Sequence, residues 1–407
     1  MKKILSVIIV AALLFTAIPL TASAETTNGK CGESLTWTYN IETKELVISG
    51  TGDMYDYGYE ENYMWKNVET VKIGDGVTSI GKGAFFECYY LKEIYIPKGI
   101  KNIGHWAFYY CLRLTIITVD PSNTNYSSDS NGALYNKNKT TLYHYPSSSP
   151  YTTYTLPASV EQIDLGALNL CGYVENFKVE SGNKYFSSDS TGVLFNKDKS
   201  KIIQYNIANP RETYTIPSTV KAIEDYAFIF AVYLKEITIP NNVKSLGYSA
   251  FYMCQNLEKV TLPEGITYIP IHCFSSNKNL KEVYIPASVT FIDFCAFDYC
   301  ENLTTVYYGG TLDQWKKIDI DEYNDCLYSA TKVFSNAPSE NKAKIGDLNN
   351  DNTINSADAL SVLQGATGLI TFTAEQKEIA DVNKDGSINS ADALRILQYA
   401  TSLIPSL

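Results

Sequence analysis

The sequence predicts an α+β chain: a solenoid of short parallel strands with β-rich caps, followed by a small all-α module of two loop–helix motifs. Three observations predict it. Apolar residues recur at a fixed step of 23 residues, the segments flanking these repeats follow another pattern, and the period changes to 34 after a polar stretch near the end. The chain has 407 residues, 45% hydrophobic and 19% charged. That is too long for one ordinary domain and too apolar for a disordered chain. The net charge of −11 leaves nothing to neutralise a phosphate backbone, so no nucleic-acid partner is expected.

Residues 1–24 read as an export signal. Lys2 and Lys3 form a basic start, Ile4 to Leu20 is apolar apart from Thr16 and Pro19, and Thr21-Ala-Ser-Ala24 offers a small-residue cleavage site. A retained anchor is the alternative, but the stretch is short for a full span and Pro19 would break it. Cleavage after Ala24 leaves 31 bases against 44 acids, a charge of −13. No second apolar run of spanning length follows. The expected product is secreted and extracellular, without membrane insertion.

Residues 25–67 read as an N-terminal β cap. Cys31-Gly-Glu-Ser-Leu35-Thr-Trp37 and Leu46-Val-Ile48-Ser-Gly50-Thr-Gly52-Asp-Met54 suggest strands and turns, with Trp37 suited to covering an open solenoid end. The repeats occupy residues 68–302. One unit reads Leu91-Lys-Glu-Ile94-Tyr-Ile96-Pro97, then Ile100, Ile103-Gly104, Ala107-Phe108 and Cys111. Its first position recurs at Val68, Leu91 and Leu114, and at Leu234, Leu257, Leu280 and Leu303. Two units of 60 residues, starting at Leu114 and Val174, lie between, giving seven in all. Their extra segments are related, Tyr126-Ser-Ser-Asp129 matching Phe186-Ser-Ser-Asp189.

Leu91, Ile94 and Ile96 read as inward residues of a short strand with a kink or bulge at the third position, while Lys92, Glu93 and Tyr95 face out. Pro97 cannot donate to a ladder and ends the strand. Ile100, Ile103 and Phe108 return to the core, and stacked neighbours bury what one coil cannot. Nine Cys is an odd number for a disulfide framework. Cys88, Cys111, Cys171, Cys254 and Cys300 share one phase with Ala231 and Asn277, which predicts an inward ladder of small side chains. Cys31, Cys273, Cys295 and Cys326 lie off that phase.

Residues 303–334 read as a C-terminal cap, with Val306-Tyr-Tyr-Gly309-Gly310 and Trp315. The I-x-I-P, I-G-x-x-A-F and C-x-x-L phrases, with both caps, make residues 25–334 resemble the BspA-like leucine-rich repeat family of bacterial surface proteins. The resemblance implies a leucine-rich-repeat solenoid and a role in adhesion. Cys273 for the Ala of Ala-Phe, and Leu168 for its Phe, depart from the pattern.

Residues 335–344 are polar, carry Pro338 and read as a flexible linker. Beyond them Asp347, Asn349, Asp351, Thr353, Asn355 and Asp358 correspond at a 34-residue offset to Asp381, Asn383, Asp385, Ser387, Asn389 and Asp392. These are positions 1, 3, 5, 7, 9 and 12 of a calcium loop, where hard oxygen donors wrap one ion and position 7 gives its backbone carbonyl. Two calcium ions are therefore expected. Gly386 allows the sharp turn at position 6; Asn352 stands there in the first loop, and Asn tolerates that conformation. A single such loop could be an Asx-rich turn that binds nothing. Two, each running into a near-identical helix, are not.

The paired loops and helices over residues 345–407 resemble a type I dockerin of cellulosome-like complexes. The resemblance implies docking to a cohesin module of a scaffoldin, which would attach the protein to a cell surface or substrate. Family recognition falls on Ser356, Ala357, Leu360 and Leu363, or on Ser390, Ala391, Leu394 and Leu397, and either face could dock. Gln364 and Gln398 stand where many members carry bases, so the cohesin stays open. Thr373-Ala-Glu-Gln376 reads as a capping box for the connecting helix.

No enzyme is expected. A glycosidase needs two carboxylates across a cleft, whereas the solenoid acids recur as outward Lys-Glu pairs such as Lys92-Glu93 and Lys281-Glu282. His105, His144 and His272 are too scattered to assign as bases. Tyr95, Thr118, Lys178, Thr238, Thr261, Tyr284 and Tyr307 share one phase and should form an exposed row. The functional reading is a secreted, non-catalytic binding protein presenting this surface to a polysaccharide, a cell surface or a protein. The alternative is a modulator or inhibitor of polysaccharide-degrading enzymes in the same complex.

Overall fold

A computed structural model describes residues 26–58, 65–334, 345–349, 353–401 and 403–404. The segments read as export signal and linker, and Asp351, lie outside the described residues. Each coil of the solenoid has three sides. The first is a parallel ladder: Thr70–Ile73, Glu93–Ile96 and Ile116–Val119 pair with Val71 opposite Ile94 and Ile94 opposite Ile117, a step of 23 residues. The second is a narrower ladder, in which Ser79–Ile80 pair with Asn102–Ile103. The third is made by turns whose amides bond the next coil: Gly83 N to His105 O at 3.0 Å, Phe85 N to Ala107 O at 2.9 Å and Glu87 N to Tyr109 O at 3.0 Å. The strand starts at Glu93, so Leu91 enters the core from the preceding turn and the ladder keeps its register without a bulge.

The 60-residue units are each two coils, which raises the number of coils from seven to nine. Thr153–Leu156 and Thr213–Thr215 are first-side strands, paired in parallel with Asn176–Val179 and Glu236–Thr238. Their coils begin at Tyr151 and Arg211, both exposed, where the other coils carry a buried apolar residue. The coil before each is enlarged by an antiparallel arm. Tyr126–Ser128, Leu134–Asn136 and Thr141–His144 form the first arm; Phe186–Ser188, Leu194–Asn196 and Lys201–Gln204 form the second.

The arms interrupt the first-side ladder. Ile117 N donates to Gly132 O at the turn of the first arm, and Phe177 N to Gly192 O at the turn of the second. Three separate first-side sheets result. The hydrophobic core divides at the same places, into clusters ending at Leu134, running from Ala133 to Leu194, and resuming at Val193. A first position beside such a break has no neighbour to cover it, so Tyr151 and Arg211 do not follow the Leu pattern.

Rings run along the core. Phe228, Phe251, Phe274 and Phe297 stack face to face at 4.9, 5.1 and 5.2 Å, and Tyr205 joins at 5.0 Å from Phe228. Beside them lies the predicted thiol ladder, and it is more than small-residue packing. Cys111, Cys254 and Cys300 each donate through Sγ to the Phe carbonyl of the preceding coil, at 3.0–3.1 Å. Asn277 makes the same bond to Phe251 O through Nδ2 at 3.0 Å. Cys326, off the phase in sequence, is the next rung: its Sγ lies 3.0 Å from Phe297 O. All nine cysteines are free thiols, and burial pushes Cys254 up to about 12.

The caps close the stack. In the first, Thr26–Lys30, Leu35–Asn40 and Glu45–Gly50 form an antiparallel sheet whose last strand pairs in parallel with Thr70–Ile73. Trp37 meets Trp65 edge-on at 6.0 Å, and Trp65 covers Phe85 at 5.8 Å. In the second, Thr311 and Gln314 cap a short helix, Leu312–Trp315, that puts Trp315 against Tyr308 at 5.3 Å.

His144 ends the first arm, buried, at the place that Gln204 takes in the second. Burial pushes its imidazole down to about 4. The unfolded chain, with the ordinary value of 6.5, then binds more protons between these values. Stability is complete above pH 6.5 and falls as pH drops toward 4. His144→Gln is expected to remove this part of the acid sensitivity, which is checked by comparing urea midpoints of both proteins at pH 7 and pH 5.

Candidate functional site

The C-terminal module has three helices, Ser356–Ala366, Ala374–Ala380 and Ser390–Ala400. The first and third follow the two Asx-rich loops and are capped identically. Asn355 Oδ1 accepts from Ala357 N at 2.7 Å, and Asn389 Oδ1 from Ala391 N at 2.8 Å. Asp358 and Asp392 complete each box from the third helical position, accepting from Asn355 N and Asn389 N at 2.9 Å. Position 9 of each loop is thus also a helix cap, a double role that the loop spacing alone did not suggest. Thr373 and Gln376 cap the middle helix reciprocally at 3.1 Å.

The second loop curls round its first residue. Asp381 Oδ1 accepts from Asp385 N at 3.1 Å and Oδ2 from Gly386 N at 2.9 Å. Asn383 Oδ1 also accepts from Asp385 N, and Asp385 Oδ1 from Ser387 N, at 2.9 and 2.8 Å. Gly386 sits at φ +82°, a conformation that glycine adopts without a steric cost. The carbonyls of Thr353 and Ser387 accept from Asn355 Nδ2 and Asn389 Nδ2, at 3.0 and 3.1 Å.

These residues fit a calcium ion. Asp358 and Asp392 are fully buried, and among the described residues neither is paired with a Lys or Arg. A buried carboxylate costs several kcal/mol unless a cation meets it. Among the described residues no three His, Cys, Asp or Glu side chains converge as a metal cage. A calcium loop draws instead on mixed donors, here Asn side chains and a backbone carbonyl beside the carboxylates.

The helices meet over Ala359, Val362, Ala393 and Ile396, joined by Leu348, Ile379, Ala380 and Val382. The opposite faces stay open and match closely. Leu360 and Leu394 are 55% and 56% exposed, Leu363 and Leu397 39% and 38%. Ser356, Ala357, Ser390 and Ala391 are exposed beside them.

The solenoid row is not continuous. Tyr95 and Thr118 are neighbours in one sheet, but Lys178 pairs with Thr155 in the next and Thr238 with Thr215 in the third. Tyr95, Thr118 and Lys178 are exposed, Thr238, Thr261 and Tyr307 half-buried. Tyr284 is buried, its hydroxyl donating to Glu264 at 2.8 Å, so the expected exposed row fails at that rung. The Lys-Glu pairs bridge coils: Lys44 and Lys92 both bond Glu69, at 2.6 and 2.5 Å, and hold its carboxyl down at about 2. Lys281 meets Glu258 at 2.8 Å in the same way.

Two of the scattered histidines do come together. His105 and His144 line one cavity of about 190 Å³ with Trp106 and Asp164, and His105 Nδ1 lies 3.3 Å from Asp164. Its lining holds no Ser or Cys to act as nucleophile and only one carboxylate.

Residues 59–190 and 204–328 match the family described as BspA type leucine-rich repeat region, in six copies, and residues 345–399 match the type I dockerin domain. No curated protein matches the chain. Among solved structures, a leucine-rich repeat protein from Eubacterium ventriosum is 24% identical, over 69% of this chain and 84% of its own, with a TM-score of 0.46. A leucine-rich cell surface protein from Faecalibacterium prausnitzii is 22% identical, over 73% and 98%, at 0.42. The pneumococcal vaccine antigen PcpA is 17% identical, over 76% and 99%, also at 0.42. Among the described residues no helix is long and apolar enough to cross a membrane.

Proposed function

The chain belongs to the BspA type leucine-rich repeat family and carries a type I dockerin, and from that premise we propose that it is a secreted, non-catalytic binding protein that docks onto a cohesin of a scaffoldin. The solenoid then presents a recognition surface to a polysaccharide, a cell surface or a protein. One observation carries the docking reading: a module whose described core has eight buried residues leaves Leu360 and Leu363, and their counterparts Leu394 and Leu397, in water as two near-identical pairs. A patch of this kind on so small a module is an interaction face. Two calcium ions, held by Asp347, Asn349, Asp351, Thr353, Asn355 and Asp358 and by their partners 34 residues on, fix the loops that aim these helices.

Calorimetric titration with a panel of type I cohesins tests it. Tight binding to at least one is expected with calcium and none with chelator. Charge placed on one face, as Ala357→Glu with Leu360→Glu, should halve the usable orientations and weaken binding only about twofold. The same change on both faces, adding Ala391→Glu and Leu394→Glu, should abolish it. Absence of binding to every cohesin at saturating calcium would refute docking.

A further inference from the structure

The solenoid has a pocket on its turn side, away from the strand row. It measures about 790 Å³ and is walled by Tyr89, Tyr110, Tyr173, Phe230 and Tyr252, with Leu112, Val232 and Met253 between the rings. Four of its lining residues, Glu87, Tyr110, Phe230 and Met253, occupy the same corner of their coils, each at φ between 56° and 61°. Side chains larger than glycine are strained in that region. Phe230 and Tyr252 meet edge-on at 6.1 Å, and Tyr109 and Tyr110 at 4.7 Å. Ser147 also lines the pocket; it is 4% exposed and its Oγ has no hydrogen-bond partner among the described residues.

The chemistry of this wall narrows the ligand. No basic side chain lines it, and Glu87, its one carboxylate, is held by Lys66 at 2.6 Å, so an anion finds no counter-charge. Flat ring faces suit the C–H faces of another ring system. Tyr hydroxyls along the wall and a buried, unpaired hydroxyl at Ser147 reward a ligand rich in hydroxyl groups. An apolar protein side chain seated there would leave Ser147 desolvated and unmatched. The volume is that of a site for a ligand of several rings.

We propose that this turn-side pocket binds an uncharged glycan, with Tyr110, Tyr173, Phe230 and Tyr252 as ring platforms and Ser147 pairing with a sugar hydroxyl. This rests on the reading of the solenoid as a recognition surface and gives that surface a place and a ligand class.

Affinity electrophoresis of the secreted full chain tests it, in calcium, through gels containing hydroxyethylcellulose, xyloglucan, galactomannan or polygalacturonate. Retardation in at least one of the three neutral gels is expected. Tyr252→Ala should weaken it about tenfold, the loss of one stacked ring. Tyr173→Ala, at a residue 56% exposed and thus safe for folding, should act in the same direction, and Tyr95→Ala on the strand row should not. The proposal is overturned by no retardation in any neutral gel, by retardation in polygalacturonate alone, or by retardation that both pocket variants retain. Capture of a protein ligand that Tyr252→Ala abolishes, with no neutral gel retarding the chain, would also overturn it. Cohesin binding by the same samples reports on docking separately.

Discussion

Adding a chelator to the full chain is expected to melt the helices of residues 356–400 while the solenoid stays folded. Residues 345–407 carry eight acids and three bases, and six of those acids are proposed ligands. Among the described residues, only backbone amides meet the charge of the buried Asp358 and Asp392. With calcium at a thousand times its dissociation constant, each site contributes about 4 kcal/mol. That is a large share of what so small a core supplies. Calorimetry should show two transitions, with only one moving on chelation, and far-UV dichroism should lose helix and keep strand. Asp392→Asn keeps the shape and most of the amide contacts but removes a ligand charge. It should lower the dockerin transition in calcium and have little effect in chelator. A dockerin transition that ignores both chelation and Asp392→Asn would refute calcium loading.

Phe251→Ala should be the most damaging single change in the solenoid. The ring is fully buried and stacks on Phe228 and Phe274 at 4.9 and 5.1 Å. Removing such a ring costs about 3–5 kcal/mol, because the neighbours relax only partly into the space. The third block of the solenoid should melt roughly 10 °C lower. Phe251→Leu should cost less, since Leu168 fills the corresponding place in another coil. A Phe251→Ala protein that melts within about 2 °C of the parent, about a fifth of the predicted fall, would mean that the ring column does not set stability.

What could be read in the sequence follows how far apart the cooperating residues are. The register of Val71, Ile94 and Ile117 was legible because each coil repeats its neighbour at a fixed step, and the paired loops for the same reason. Tyr151 and Arg211 hid two coils, because the arms remove the neighbour that makes a Leu necessary there. Cys326 was misplaced because the cap changes the step from 23 to 26 while the rung keeps its bond to a Phe carbonyl. Tyr284 follows the outward phase and is covered all the same, since Glu264 on the preceding coil reaches its hydroxyl. The turn-side pocket was out of reach: Glu87 and Met253, far apart in the sequence, line one pocket only in the folded stack. The 32 tyrosines were its one trace.

The two seams at the arms have a mechanical meaning. A chain anchored at one end and gripped elsewhere carries tension along its stack. Within a block, that load is shared by a continuous ladder and one core. At each seam the first-side ladder gives way to an arm, with one amide bonded to its turn, Ile117 N to Gly132 O or Phe177 N to Gly192 O. Pulled, the solenoid should part there first, yielding in steps of a whole block rather than peeling coil by coil.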